Sequence, residues 1–304
     1  MENSLPAKTV TLLDGGMGKE LQRMGAPFRN PEWSALALMD APEFVAEAHA
    51  NFIAAGAEVI TTNAYAVVPD TLGPQRFAQR GADLAHFATH IARAAADAAD
   101  HPVGVTGCLP PLFGSYRPDL FDENLAGEYY KVLVEAQDEH IDIWLHETIS
   151  SLAEFETGND AIRKYRTSSL EAPVWASFTL DDSRAEPVLR SGETIEQLVR
   201  SVNSKVDALL FNCSRPETVT RAVQKACTLL NGTQVRVGAY ANAFTDVHQE
   251  DAEGNTPLRA DLTPQSYLGF VGDWINSGAT LIGGCCGINP EHIRAIRSYL
   301  DEAS

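Results

Sequence analysis

Three cysteines stand at the ends of two apolar segments, and their chemistry is that of a metal site. Cys213 closes the segment LLFNCS, and the pair Cys285 and Cys286 lies in LIGGCCG. A catalytic zinc ion takes three protein ligands and keeps a fourth position free for water or substrate. The spacing therefore predicts an open zinc site made of these three thiolates.

The adjacent cysteine pair needs an unusual backbone, because successive side chains of a strand point to opposite faces. Gly283, Gly284 and Gly287 flank the pair, and glycine lets a chain leave strand geometry. Two alternatives stay open from the residues alone. The pair could form a reversible disulfide in a redox-responsive or zinc-responsive binding protein without turnover, or the three thiols could be unrelated core residues.

The other two cysteines are predicted to be structural. Cys227 falls on an apolar helical stripe that includes Val219, Val223 and Leu230, which is the spacing of a buried helix face. Cys108 ends another strand-like run, VGVTGCLP, and free cysteine is among the residues most often buried.

Composition favours one soluble domain over residues 1–304. Apolar residues make up 44% of the 304 and are spread evenly, while the formal charge of −18 argues against nucleic acid or an anionic membrane as partner. The N-terminus has no signal-peptide pattern, and five cysteines fit a reducing compartment better than a disulfide framework. We expect a cytoplasmic monomer or small homo-oligomer that acts on small molecules.

Eight short apolar runs, each followed by a helical pattern, organise the chain. Near-continuous Val, Ile, Leu and Ala indicate strands buried on both faces, as in parallel sheets. The pattern predicts a single-domain (β/α)8 barrel, an α/β fold; the alternative, an open doubly wound sheet, lacks a G-x-G-x-x-G motif. The runs span 9–16, 58–65, 103–110, 141–148, 173–180, 208–214, 235–242 and 279–286.

Cap residues predict where four of the helices begin. These starts are Ser214 with Glu217, Asp40 with Glu43, Thr263 before Pro264, and Asn289 before Pro290. A fifth helix is indicated by the apolar spacing of Ile195, Leu198, Val199 and Val202.

Barrel active sites lie at the carboxyl ends of the strands, and polar residues collect at those ends. Two long segments, 109–124 and 243–262, follow the third and seventh runs and are predicted to shape a pocket. His146 should point to the opposite face from Glu147 and be a buried core residue. The strand ends supply Asp14, Asn63, Tyr65, Cys108, Glu147, Thr148, Asn212, Cys213, Cys285 and Cys286.

Four motifs, DGGMGKEL, HET, FNCS and GGCCG, give the whole chain a resemblance to the homocysteine S-methyltransferase family. The resemblance implies a (β/α)8 barrel that transfers a methyl group to homocysteine and so takes part in methionine biosynthesis. It implies that Cys213, Cys285 and Cys286 bind Zn²⁺. It also implies that Asp14 and Glu147 hold the homocysteine amino group, with Thr148 and Asn212 beside them. From their place at a strand end, Asn63 and Tyr65 are expected to belong to the same substrate site.

The methyl donor is expected to be a sulfonium. The chain resembles the shorter family branch that uses S-methylmethionine or S-adenosylmethionine, whereas betaine-using members carry a C-terminal arm that this sequence lacks. Selenocysteine as acceptor and betaine as donor are the alternatives. Four aromatic residues could offer π-faces to a sulfonium, namely Trp33, Tyr65, Phe113 and Tyr116.

Overall fold

The fold is seen in a computed structural model, which describes residues 10–245 and 256–302. Eight parallel strands form one sheet in the order β1-β8-β7-β6-β5-β4-β3-β2. The strands are β1 Thr11–Leu12, β2 Val59–Thr61, β3 Gly104–Leu109, β4 Ile143–Ile149, β5 Val174–Phe178, β6 Ala208–Asn212, β7 Arg236–Tyr240 and β8 Leu281–Ile282.

The sheet closes between β1 and β2. Leu13 and Val59 form an isolated parallel bridge, and Asp14 donates its backbone N–H to the Val59 carbonyl at 3.0 Å. The predicted (β/α)8 barrel is therefore confirmed, with each strand inside its predicted run except for one residue added at the end of β4. Closure brings all eight carboxyl ends to one rim.

Helices follow the strands and pack outside them. They are α1 Met17–Met24, α2 Ser34–Asp40, α3 Pro42–Ala54, α4 Pro69–Leu72, α5 Pro74–Asp97, α6 Glu123–Gln137, α7 Leu152–Tyr165, α8 Ile195–Val202, α9 Pro216–Leu229, α10 Pro264–Ser277 and α11 Pro290–Glu302. None of the described helices is long and apolar enough to span a bilayer.

Two of the four predicted helix starts are confirmed and two are wrong. Thr263 caps α10, and the Asn289 side chain accepts the first free N–H groups of α11. Asp40 ends α2 instead of capping α3. Ser214 does not cap α9, because its hydroxyl accepts the Leu180 N–H and bonds to the Asn212 carbonyl.

Two apolar layers separate the inside of the barrel from its outer shell. Leu145, Trp175 and Leu210 fill the interior together with Cys213 and Cys285, whereas the residues between strands and helices form a second, larger core. The predicted apolar face of α8 is buried in that outer layer. The cysteines therefore lie at the top of the barrel interior.

Candidate active site

Cys213, Cys285 and Cys286 come together at the rim. Their Sγ atoms all lie within 4.8 Å of one another, and Cys213 Sγ is 4.0 Å from Cys286 Sγ. A tetrahedral ion with bonds of 2.3 Å to sulfur would separate its ligands by about 3.8 Å. The three thiols thus fit the donor set and spacing of a soft metal ion, and all three are free.

The backbone at Cys213 is strained in the way that this convergence requires. Cys213 follows β6 directly and has φ 44°, a left-handed conformation that side chains other than glycine rarely adopt. Hydrogen bonds from Cys285 and Cys286 lower the pKa of the Cys213 thiol below its ordinary value, against the opposing effect of burial. The cluster therefore favours a thiolate at Cys213.

The cysteine pair is fixed by the end of β7 and by the loop after β1. Cys285 donates its N–H to the Ala241 carbonyl at 2.9 Å, and the Cys286 carbonyl accepts from Ala243 at 2.8 Å. On the other side, a Cβ added to Gly16 would lie 2.6 Å from the Cys285 carbonyl oxygen. The pair is held between two backbone segments, so its sulfurs have defined positions.

The flanking glycines allow the pair to converge, though not all by the predicted route. Gly287 has φ 85° and supplies the turn. Gly283 and Gly284 have no positive φ; they are needed for space, since an added Cβ would lie 2.7 Å from Leu13 Cβ at the first and 2.1 Å from Ile288 Cγ2 at the second.

Glu147 lies inside the barrel within a fixed network of hydrogen bonds. Asn212 donates from Nδ2 to Glu147 Oε1 at 2.8 Å and to Thr148 Oγ1 at 2.8 Å, while Tyr240 donates to Glu147 Oε2 at 2.7 Å. An irregularity in the β4–β5 register between His146 and Ile149, with φ 60° at Thr148, brings two successive residues to the same network. Thr148 and Asn212 thus position the carboxylate.

Asp14 is the second carboxylate at this rim. Its Oδ2 accepts the Thr61 N–H at 2.8 Å. Burial raises the pKa of Asp14 to about 7 and that of Glu147 to about 8, and their hydrogen bonds offset only part of this effect. Within the described parts of the chain, neither has a cationic partner within 4.0 Å. A ligand ammonium would supply the missing charge.

Tyr65 and Tyr116 border the cysteine cluster. The Tyr65 hydroxyl bonds to Ser115 at 2.8 Å, and the negative charge of Cys213 adds to burial in raising the pKa of both phenols. Tyr116 also contributes a hydrogen bond that lowers the pKa of Cys213. Two of the four predicted aromatic residues therefore lie near the thiols.

The remaining predicted aromatic and amide residues make other contacts. Trp33 packs edge-on against Phe28 at 5.7 Å, and Phe113 packs against Phe121 at 6.1 Å. Asn63 is buried and donates to the Ser34 carbonyl at 3.2 Å. This bond links the loop after β2 to α2, so one half of the Asn63 amide already has a structural partner.

Residues predicted to be structural occupy the outer layer. Cys108 is buried there, with its backbone bonded on both sides to the Gln137 amide. Cys227 is partly buried on α9. His146 is fully buried and packs against Phe155 at 5.1 Å, away from Glu147 as the strand alternation predicted.

The two long loops predicted to shape a pocket are 109–124, which is fully described, and 243–262, which is described in part. The segment 109–124 contains a short 3-10 helix, Pro118–Leu120, and brings Tyr116 to the site. The segment 243–262 lies partly outside the described residues, and its described ends include Phe244 bridged to Leu258. Only the first loop can be assigned to the pocket wall.

Sequence reasoning did not identify two polar residues of this rim. Tyr240 ends β7 and faces inward, and its position at a strand end was the signal for it. Arg190 follows β5, and its guanidinium carbon lies 4.4 Å from the centre of the Tyr116 ring. No sequence motif surrounds Arg190, so only the three-dimensional arrangement reveals it.

Comparison with known proteins decides the family. The profile of the homocysteine S-methyltransferase family matches residues 11–300. The chain belongs to this family. It is a methyltransferase and is 30% identical to the homocysteine S-methyltransferase of Escherichia coli, over 97% of this chain and 96% of that one. It is also 24% identical to a selenocysteine methyltransferase of Astragalus bisulcatus, over 97% and 93%.

A solved member of the family has the same architecture. The homocysteine methyltransferase MmuM of Escherichia coli, in its metallated form, superposes with a TM-score of 0.78 at 26% identity, over 95% of this chain and 96% of that chain. The family resemblance of the four sequence motifs is thereby confirmed.

Proposed function

We propose that this methyltransferase moves a methyl group from a sulfonium donor to the thiol of L-homocysteine, giving methionine, with Zn²⁺ held by Cys213, Cys285 and Cys286. One observation carries the proposal: three converging thiols lie beside two carboxylates, Glu147 buried and Asp14 half-buried, that have no cationic partner among the described residues. An amino acid with a thiol side chain and an ammonium group matches both halves of this site.

The three cysteine ligands indicate which metal is bound and how homocysteine is activated. Three thiolates suit zinc better than magnesium or calcium, which prefer oxygen. When bound, zinc would hold the homocysteine sulfur as a thiolate at neutral pH, and the three protein thiolates would keep that sulfur electron-rich.

The protein side chains orient the acceptor. Asp14 and Glu147 accept hydrogen bonds from its ammonium, which restores a charged partner to both carboxylates and favours their ionised forms. Tyr240, Asn212 and Thr148 prevent Glu147 from rotating. Such positioning can supply several kcal/mol of barrier reduction in well-oriented systems. Asn63 and Tyr65 are proposed to complete the pocket wall.

The transfer itself is a displacement between two sulfur atoms. The methyl carbon forms a bond to the homocysteine sulfur as its bond to the donor sulfur breaks. The bonding electrons stay on the donor, which leaves as a neutral thioether, and the proton of the original thiol goes to solvent. Tyr65 and the face of Tyr116 opposite Arg190 stabilise the incoming cation. Because the acceptor sulfur attacks as a thiolate, no general acid or base is required.

Product formation with parallel donors tests the proposal. Zinc-loaded protein is given homocysteine with S-methylmethionine, S-adenosylmethionine or betaine, and methionine is measured. We expect the highest kcat/KM with S-methylmethionine, because a thioether leaves more readily than the tertiary amine that betaine releases. Equal or faster turnover with betaine would overturn the donor assignment. Selenocysteine is tested as a second acceptor because one relative is a selenocysteine methyltransferase.

A further inference from the structure

Arg190 stands next to the cysteine cluster and makes no ion pair within 4.0 Å to a described carboxylate; Asp182, whose charge it does feel, also interacts with Arg215. Arg190 lies in the segment after β5 that is tied by bridges between Leu180 and Leu189 and between Val188 and Thr194. It is half-buried, and one terminal nitrogen is buried without any hydrogen-bond acceptor. Leaving a buried donor unsatisfied costs about 1–3 kcal/mol, so a ligand acceptor that replaced the groups covering this nitrogen would recover that cost.

Two short routes connect Arg190 to Cys213. Arg190 Nε donates to Thr179 Oγ1 at 3.0 Å, and Thr179 Oγ1 donates to the Cys213 carbonyl at 3.1 Å. The guanidinium also lies over the Tyr116 ring, whose hydroxyl interacts with the Cys213 thiol. The positive charge is therefore one side chain away from Cys213, a proposed metal ligand, and is held in a fixed orientation.

Three other arginines differ from Arg190 in charge pairing. Arg23, Arg117 and Arg259 each bind a carboxylate at 2.8 Å or less. Arg190 makes no ion pair within 4.0 Å to any residue of 10–245 or 256–302. A guanidinium with a free edge is suited to a carboxylate, because its parallel N–H groups match the two carboxylate oxygens.

We propose that Arg190 binds the carboxylate of the methyl donor, so that this enzyme selects sulfonium donors that carry an acid group. The inference rests on the proposed function. Tyr116 lies between Arg190 and the cysteines, and in-line transfer places the donor sulfur beyond the methyl group, on this outer side of the thiol. A donor with its sulfonium against the Tyr116 ring extends its acid arm to Arg190. The acceptor ammonium is held elsewhere, at Asp14 and Glu147.

The test compares S-methylmethionine with its carboxamide, which has the same sulfonium but no anionic group. Zinc-loaded wild-type protein should show a kcat/KM roughly 10-fold to 100-fold higher for the acid, the usual effect of a hydrogen bond to a charged group. Arg190→Met should raise KM for the acid by a similar factor and remove the preference. KM for homocysteine should stay within twofold, and Arg190→Lys should give an intermediate preference.

Arg117→Met is the matched control, since this arginine neighbours Tyr116 but is exposed and paired with Asp119. It should keep the wild-type preference. Retention of the acid preference in Arg190→Met would overturn the proposal, and so would a rise in KM for homocysteine instead of the donor. If the wild-type protein makes no methionine, the proposed function fails. Calorimetric binding of S-methylmethionine to wild type and Arg190→Met then decides the inference, and equal affinities reject it.

Discussion

The two ends of the barrel use buried and half-buried carboxylates in opposite ways. At the amino ends of the strands, Glu58 accepts the Leu12 N–H at 2.7 Å and Asp142 accepts the Val105 N–H at 2.8 Å. Asp142 also pairs with Arg93 at 2.5 Å. Each acidic group there ties one strand to the next and has a cation nearby.

At the carboxyl ends, Asp14 and Glu147 hold hydrogen bonds but have no cation among the described residues. Unpaired buried carboxylates destabilise the folded state unless a ligand completes them. The rim also contains Trp33, Phe113, Tyr116, Thr148 and Cys213, the described residues other than glycine with positive φ. The carboxylates at the base are thus satisfied by the protein itself, whereas those at the rim are the ones proposed to bind a charged substrate.

Removal of one thiol at the rim should have the largest effect. Cys213→Ala, Cys285→Ala and Cys286→Ala should each lower zinc content and reduce methionine formation by more than the roughly 10–100-fold cost of losing a group that only orients a metal ligand. Metal analysis and turnover are the measurements. Cys108→Ala, at another strand end but in the outer layer, should lower stability and leave zinc bound. Full zinc occupancy in Cys285→Ala would contradict the site.

Neutralising Glu147, the rim carboxylate with the most hydrogen bonds, should weaken the binding of homocysteine. Glu147→Gln keeps the shape of the side chain but loses its charge, so homocysteine binding should fall by about 1.5–3 kcal/mol. Calorimetry on the zinc-loaded protein measures this, with zinc content unchanged. Unaltered affinity in both Glu147→Gln and Asp14→Asn would mean that these carboxylates are structural.

The pH dependence of stability should separate Asp14 from ordinary acids. Its folded pKa of about 7 lies above the unfolded value of 3.8, so between pH 4 and 7 the folded state keeps a proton that the unfolded state releases. Stability therefore falls as pH rises through this window. Asp14→Asn should remove the Asp14 share of this fall and leave the share of Glu147, whose pKa is also raised. Its stability relative to wild type should therefore increase between pH 4 and 8 by up to about 4 kcal/mol, as measured by urea unfolding of the metal-free protein. A constant difference from pH 4 to 8 would argue against the raised pKa.

The smallest effect is expected at the base. Asp142→Ala loses the bond to Val105 and the pair with Arg93, which together should lower the free energy of unfolding by about 1 kcal/mol. Chemical denaturation measures the loss, and KM for homocysteine should not move. A change in KM of threefold or more would show that the base and rim are coupled.

Much of the fold followed from the sequence because burial on both faces leaves a strong apolar signal in each strand. Helix starts were harder. Ser214 had the right spacing from Glu217, but its hydroxyl is used by Leu180 across the rim, a tertiary contact that local sequence does not encode. The strand register shift at Thr148 was equally invisible.

The cysteine cluster was predictable from strand-end positions and from the family motifs. The residues that contact the cluster and its neighbouring carboxylate were not predictable. Tyr240 donates to Glu147 from a strand three places away in the sheet. Arg190 reaches Cys213 only through Tyr116 and Thr179. Such partners are distant along the chain, and a single sequence carries no spacing rule that connects them.

The pairing of β1 with β8 determines when the complete cysteine site can form during translation. Cys213 is made well before Cys285 and Cys286, and the loop after β1 packs against the pair through Gly16. During translation, a metal ion could meet one thiol but not three until the last strand has left the ribosome. Metal would then bind only after the barrel has closed. A bound ion would cross-link the ends of β6 and β8 across β7 and would stabilise the closed barrel.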